Sequence, residues 1–486
     1  MEKKILLVLA FITLFLVFFI PMRDTDFGWH LRCGERIVRE RKLCSVNEFT
    51  TLLEGYRWYS PAHGYQILLF LTYRLSGFVG VSLLYAFSAA LIFTLFLRIL
   101  KGNLFLNLLI FIIWLWFSWG VMGLGLRSQV LSVYFLVLFL AIVEKGKEKP
   151  NYLLFLIPVM IAWSNFHPGF FLGNVLSMLL LGRYLLLYLR KTVKRPLLAK
   201  VFTIVTFSNL TTLINPYGFR IYQEVFRHTQ VPLNTLIAEW VPPLPWQNFL
   251  IIATFLLVLT FLIVFKSYDP IRLGLLVFAT LIALQARRNL PFFSIAVIYA
   301  ISEEKLSNAL SAKFTKIAVP EIMAAFFALI LLVTIPNNVL ASLSFGERQY
   351  CENALSVLPC KAVEFLNSQK PGNIFNAYEW GGYLIWKLPK FRIFVDGRMP
   401  SWDTTDESKL AKRWRGKSPY TVYIEAMHAV PEWQELMQNY NIEYLIIEVK
   451  YPLYELLEKD PAIYGYRQIY GDGVAVIYNR TPHHQP

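Results

Sequence analysis

Residues 5–20 read ILLVLAFITLFLVFFI, and residues 21–32 continue PMRDTDFGWHLR. The first stretch carries no charge, and a bilayer is crossed by about 20 apolar residues, so it reads as a span. The second turns at once to Arg23, Asp24, Asp26, His30 and Arg32. An apolar stem that opens directly onto clustered ionisable groups decides the fold reading. Met1-Glu2-Lys3-Lys4 ahead of the run would suit a signal peptide. Ile20-Pro21-Met22-Arg23 is no small-residue cleavage site, however, so the run reads as a retained anchor.

The same kind of run recurs downstream, at roughly 79–98, 104–119, 127–143, 151–163, 170–189, 200–214, 248–266, 271–286, 289–302 and 318–336. Composition agrees. Of 486 residues 56% are hydrophobic and 16% charged, with mean hydropathy +0.47. A soluble domain carries about 25% charge, so a soluble enzyme and a disordered chain are both excluded. Aromatic residues, at 16%, suit lipid-facing helices with interfacial belts. The expected fold is a polytopic α-helical membrane protein of about eleven transmembrane helices. No internal repeat is evident.

Lys and Arg set the expected orientation. With a cytoplasmic N-terminus, the inner connections hold Lys101; Lys145, Lys147 and Lys149; Arg190, Lys191, Lys194 and Arg195; and Lys305, Lys313 and Lys316. The net charge of +15 is then a topology signal and a contact for anionic lipid heads, with no call for nucleic acid. After residue 337 the composition becomes mixed and polar. Ile374–Asn376, Arg392–Val395, Tyr444–Val449 and Val474–Tyr478 read as strands, and 409–415, 430–439 and 452–458 as helices. The sequence thus divides into 1–336, a membrane domain with a long first outer loop at 21–64, and 337–486, an extracytoplasmic α/β domain. All four cysteines fall outside on this topology. They form two local pairs, Cys33 with Cys44 and Cys351 with Cys360, where disulfides persist.

The uncommon polar residues gather on the outer side: Asp24, Asp26, His30, Arg32, Glu35, Arg57 and His63 in the first loop, then Arg127, Gln129, Asn165, His167, Glu239, Trp240, Arg287 and Arg288. Ionisable groups at a membrane boundary are costly unless solvated, paired or bound to a ligand. Their gathering suggests a polar cavity at the outer leaflet. Asp24 and Asp26, at i and i+2, can share a cation, and one of them can act as general base toward an acceptor hydroxyl. The same pattern also suits a helix cap or a pair with Arg23 or Arg32. A guanidinium binds a phosphate leaving group bidentately. Arg127, Arg287 and Arg288 are therefore the candidates for a lipid-linked phosphate, against simple snorkelling to lipid heads. His63, His167 and His228 lack metal-ligand spacing.

Taken together, these residues resemble the GT-C superfamily of membrane glycosyltransferases. Asp24-x-Asp26-x-x-Trp29-His30-Leu31-Arg32-x-Gly34-Glu35, Asn47-Glu48-Phe49-Thr50 and Gly55-x-x-Trp58 look like the first loop of a large group of bacterial members. Asn376-x-Tyr378-x-Trp380-Gly381-Gly382-Tyr383-Leu384 and Val395-Asp396-Gly397-Arg398 look like that group's C-terminal domain. The resemblance implies transfer of a sugar, with inversion, from a polyprenyl phosphate or pyrophosphate at the outer face of the cytoplasmic membrane. It implies Asp24 or Asp26 as base or metal ligand; two carboxylates two residues apart can ligate Mg²⁺ or Mn²⁺, though the sequence identifies no third carboxylate for the site. Donor phosphate falls to Arg127, Arg287 and Arg288. Contacts to sugar or acceptor (a protein, lipid or glycan) fall to His30, Arg32, His63, His167, Glu239, Trp240, Trp380, Tyr383, Asp396 and Arg398. Gly381-Gly382 and Trp380 equally suit a tight turn, close packing and core.

Asp26-x-x-x-His30-x-Arg32 also resembles the first loop of oligosaccharyltransferase catalytic subunits. Glu379-Trp380-Gly381-Gly382-Tyr383 lacks their Trp-Trp-Asp acceptor motif. A flippase for lipid-linked sugars is the rival from another class. It calls for polar groups reaching the cytoplasmic half and for inverted repeats, and the sequence reading finds neither.

Overall fold

The computed structural model describes residues 2–101, 104–230, 240–266, 268–302, 332–404 and 408–481. The expected span at 318–336, the basic residues Lys305, Lys313 and Lys316, and Glu239 lie wholly or largely outside these residues. The chain forms two compact units. One comprises Met1–Pro21, Phe78–Val225 and Ile237–Ser344, the other Met22–Gly77, Phe226–Leu236 and Phe345–Pro486. The sequence reading divides the chain at 336 and leaves the first loop with the membrane domain. In the structure that loop instead belongs to the same compact unit as the C-terminal domain.

The first unit is helical. Apolar runs become Glu2–Phe18, Leu104–Phe117, Ser128–Glu148, Phe170–Leu189, Arg195–Leu210, Pro245–Val264, Pro270–Gln285 and Leu290–Ile301. Among the described residues five helices, counting His63–Ile99, are long and apolar enough to cross a membrane. The run at 151–163 is split into a 3-10 turn, Pro150–Phe155, and a short helix, Leu156–Phe166. Proline begins several of these helices, where its missing N–H costs nothing. Burial ranks them. Every residue of Leu290–Ile301 is buried, as befits a helix apolar on all sides. Pro245–Val264 instead exposes Phe249, Leu256, Leu257 and Val264, a face suited to lipid. Inside, the Ser118 and Ser294 hydroxyls meet at 2.7 Å. Small hydroxyl residues of this kind hold apolar helices together.

A part-buried ionic set ties one end of this bundle. Glu144 and Arg272 pair at 3.1 Å, Lys147 reaches Glu144 at 2.7 Å and Asp269 at 3.2 Å, and Arg183 reaches Asp269 at 3.3 Å. The Tyr299 hydroxyl donates to Glu144. The sequence reading finds no such polar set, because charges spread over three helices carry no local signature.

The second unit holds a five-stranded sheet in the order β2-β1-β3-β5-β4. Its strands are β1 Asn373–Asn376, β2 Arg392–Ile393, β3 Ile442–Glu448, β4 Tyr466–Gly471 and β5 Ala475–Arg480. β1 pairs in parallel with β2 and β3, while β5 pairs antiparallel with β3 and β4. Helix Gly381–Lys387 makes the crossover from β1 to β2. First-loop residues extend the sheet: Ile393 donates to Phe49 C=O at 3.0 Å and accepts from Thr51 N–H at 2.8 Å. An edge that would otherwise stand open is thereby covered. Both disulfides, Cys33–Cys44 and Cys351–Cys360, are formed. The expected helix at 409–415 is only a 3-10 turn, Lys412–Trp414, and β4 was not expected from the sequence.

Candidate functional site

Helix Phe27–Glu35 positions the acidic motif. It packs through two glycines. A Cβ on Gly34 would fall on the Gln66 carbonyl, and a Cβ on Gly28 on the Gly382 carbonyl. Two motifs separated by about 350 positions therefore meet backbone to backbone, which only glycine permits. Phe27 anchors the helix start, edge-on to Tyr73, Tyr350 and Trp386 at 5.5, 5.6 and 5.7 Å.

The two acids lie just ahead of this helix and differ in environment. Asp24 is 3% exposed, and its Oδ1 accepts the Asp26 N–H at 3.2 Å. Its carbonyl accepts the Tyr350 hydroxyl at 2.6 Å. Asp26 is half-buried and occupies the N-cap position, yet its side chain makes no cap hydrogen bond. Its carboxylate lies against Gly397, where any Cβ would strike it. Burial pushes the Tyr350 hydroxyl up, and the charges of Asp24 and Asp26 push it further. Tyr378 is raised by burial and then by Asp26, Asp396 and Glu379. Both phenols thus stay protonated beside the acids.

The other candidates in this unit are mostly structural. Arg32 pairs with Glu35 at 2.6 Å on the outer side of the helix, not with either aspartate. His30 is buried, stacked on Trp29 at 3.5 Å and edge-on to Tyr65 at 4.9 Å. His63 is buried at the start of its helix. Trp380 and Tyr383, expected to face substrate, lie in the core. The Trp380 indole donates to Val357 C=O at 2.9 Å, and the Tyr383 hydroxyl to Glu347 at 3.1 Å. Asp396 and Arg398 form a fully buried pair at 2.6 Å. Arg398 also donates to Asn47 Oδ1 at 3.2 Å and lies over Phe49, Trp58 and Trp402. The structure thus places these two, expected as substrate contacts, as a buried pair on either side of Gly397.

Asn47, within the first-loop motif Asn47-Glu48-Phe49-Thr50, ties that loop to Arg398. It is fully buried and donates to Thr50 Oγ1 at 2.6 Å and to Leu53 C=O at 2.8 Å while accepting Arg398. Glu48 beside it pairs with Arg36 and Lys42. The hydrogen bond from Lys42 chiefly holds its carboxyl below the usual range, with Arg36 assisting against burial.

In the helical unit the three arginines share one corner. Arg127 occupies the N-cap position of Ser128–Glu148, and Gln129 donates to the Arg288 carbonyl at 2.6 Å. Arg287 donates to Pro242 C=O at 3.2 Å, and Arg288 lies over the Trp240 ring at 4.4 Å. One turn further along, Ser132 Oγ lies 2.7 Å from His167 Nδ1 and accepts the Trp163 indole N–H at 2.7 Å. His167 Nδ1 also accepts the Gly169 N–H at 2.9 Å, which leaves the ring proton for Nε2.

No third His, Cys, Asp or Glu joins Asp24 and Asp26 into a ligand cluster among the described residues. Mg²⁺ commonly takes one or two carboxylates and completes its shell with water and substrate phosphate. The pair could offer a cation at most one or two such ligands, and does not make a dedicated cage.

No protein-family model and no curated protein matches the chain. Solved structures do. The chain is similar to the Archaeoglobus fulgidus oligosaccharyltransferase AglB in complex with an inhibitory peptide and a dolichol-phosphate, with TM-score 0.52 and 11% identity, covering 100% of this chain and 75% of that one. The apo form of the Archaeoglobus fulgidus oligosaccharyltransferase gives TM-score 0.51 at the same identity and coverage. The likeness is one of fold.

Proposed function

We propose that the protein is a GT-C-type membrane glycosyltransferase, moving a sugar from a polyprenyl-phosphate or -pyrophosphate donor to an acceptor at the outer face of the cytoplasmic membrane. The observation that carries this reading is the Asp26 carboxylate, seated against Gly397 at the start of helix Phe27–Glu35, in a fold like that of an oligosaccharyltransferase. In the proposed step Asp26 takes the proton of the acceptor nucleophile. The nucleophile bonds to the anomeric carbon from the face opposite the phosphate. The carbon–oxygen bond to phosphate breaks, its electron pair stays on the phosphate oxygen, and the configuration inverts. The departing phosphate calls for a guanidinium, the kind of fixed charge that contributes most to such rates, and Arg127, Arg287 and Arg288 are the candidates by sequence. A divalent cation held by Asp24 and Asp26 would supply further charge neutralisation. Asp24, with one oxygen engaged by the Asp26 N–H, positions its neighbour.

A second reading, oligosaccharide transfer to protein, is favoured by the fold likeness, since one matched structure is described with a peptide and a dolichol-phosphate. The test uses purified protein in lipid nanodiscs with radiolabelled polyprenyl-phosphate sugars, offered with and without acceptor peptides. Single-sugar transfer that falls at least about 100-fold in Arg288→Gln or Asp26→Asn supports the proposal. Transfer undiminished in both variants overturns it, and transfer only of whole oligosaccharides to peptide selects the second reading.

A further inference from the structure

Residues 5–22 carry no charge, and Arg23 is the first ionisable residue after them. Phe19–Met22 stay buried, while Arg23 is exposed. Where an apolar run enters a bilayer, its first flanking cation marks the level of the lipid headgroups. The C-terminal domain reaches that residue, since Leu355 donates its N–H to the Arg23 carbonyl at 2.8 Å.

Leu355 stands in a loop closed by the Cys351–Cys360 disulfide. The loop is braced from within. Leu358 N–H donates to Cys351 C=O at 3.0 Å, and the Trp380 indole donates to Val357 C=O at 2.9 Å. Its side chains divide. Leu358 and Pro359 are buried, whereas Leu355 and Val357 are 62% and 52% exposed. Single exposed apolar residues are ordinary, but these two share one fixed loop beside the end of an apolar run. The same unit meets apolar chain again at Gly77, ahead of the run at 79–98. Just before it, Leu75 is 83% exposed, next to exposed Arg74. Phe27 joins the two places, being edge-on to Tyr73 and to Tyr350, the neighbour of Cys351. The exposed charge here is cationic, Arg23 and Arg74, because the loop's one acid, Glu352, pairs with Arg348 at 3.4 Å.

We propose that Leu355 and Val357 of the disulfide loop, with Leu75, seat in the headgroup boundary of the bilayer that residues 5–22 enter. There the apolar side chains leave water, and Arg23 and Arg74 reach lipid phosphates with their stems laid along apolar surface. A protein partner would suit the apolar residues, but two exposed cations beside the ends of apolar runs suit phosphates. The loop also bears on the acidic motif, since the Tyr350 hydroxyl donates to the Asp24 carbonyl at 2.6 Å. The lipid contact stands without the transferase reading. Its use, holding Asp24 and Asp26 at the height of a lipid-linked donor, rests on that reading.

The test is electron paramagnetic resonance on the full chain in phospholipid nanodiscs. A nitroxide is attached through a ketone amino acid, which spares both disulfides, in place of Leu355, Val357 or Lys459. Lys459, between exposed Glu458 and Asp460, is the solvent reference. Collisions with oxygen, which favours lipid, are compared with collisions with a water-soluble nickel chelate. The labels at 355 and 357 read about 5–10 Å below the phosphates, and the label at 459 reads as water. Nickel access at 355 or 357 equal to that at 459 overturns the proposal. So does low access to both reagents, which would mean that protein covers the loop. A benzophenone side chain in place of Val357 gives the second measurement. Photocrosslinking adds the mass of one phospholipid, and crosslinking to a second chain instead overturns the proposal. Neither measurement uses sugar transfer, so loss of the transferase reading would leave both results standing.

Discussion

Arg398 shows how a residue suited to binding substrate is instead used to build. Its guanidinium is held on both Asp396 oxygens, at 2.7 and 2.6 Å, and is enclosed by Phe49, Trp58 and Trp402. Removing one member of a buried pair leaves an uncompensated charge and costs about 3–5 kcal/mol. Glu379 behaves in the opposite sense. Burial, then Glu448, raises its carboxyl above the ordinary range, with its own backbone N–H and Lys450 opposing. A carboxyl raised by folding stabilises the native state while protonated. That contribution is complete below the unfolded value and is lost as pH rises through the folded value. Glu379→Gln, which mimics the protonated acid, should match wild type near pH 4 and exceed its unfolding temperature at pH 8 by about 2 °C. Thermal scans at the two pH values check this. Equal shifts at both would mean that the acid is not strained.

At the scale of elements, the decisive contact is between helix Phe27–Glu35 and helix Gly381–Lys387, closed by Gly28 on Gly382. Gly28→Ala should lower stability by about 1–3 kcal/mol through overpacking. Gly473→Ala, with open space around it and no left-handed φ, should be silent. Denaturant unfolding of the two variants side by side is the check. Some of this was legible in advance. β3 and β5 are apolar runs, and the helix starts follow prolines. β4 was not legible, because Tyr466-Arg467-Gln468-Ile469-Tyr470 is an edge strand with little apolar alternation. The crossover helix was missed because it begins with two glycines, poor helix formers whose purpose is close approach. Span counts followed hydropathy, which cannot tell one long crossing from a 3-10 turn and short helix such as 150–166.

For the whole molecule, the acidic motif and Asp396-Gly397-Arg398 were each singled out separately in the sequence. Their juxtaposition was not visible there, because pairing across hundreds of positions leaves no local period. Asn47, Phe49 and Thr51 became meaningful only once they lay against Arg398 and Ile393. The account therefore rests on one spatial fact and one chemical claim: Gly397 seats the Asp26 carboxylate, and that carboxylate accepts the proton during glycosyl transfer. Misplacing a reacting group by about 1 Å can cost 100-fold in rate. Gly397 has no left-handed φ, so alanine there adds only the methyl group that would strike Asp26. The most direct measurement is the single-turnover rate of sugar transfer from a labelled polyprenyl phosphate, in nanodiscs, for wild type, Asp26→Asn and Gly397→Ala of matched unfolding temperature. The account predicts falls of about 100-fold or more in both variants. A wild-type rate in either would contradict it.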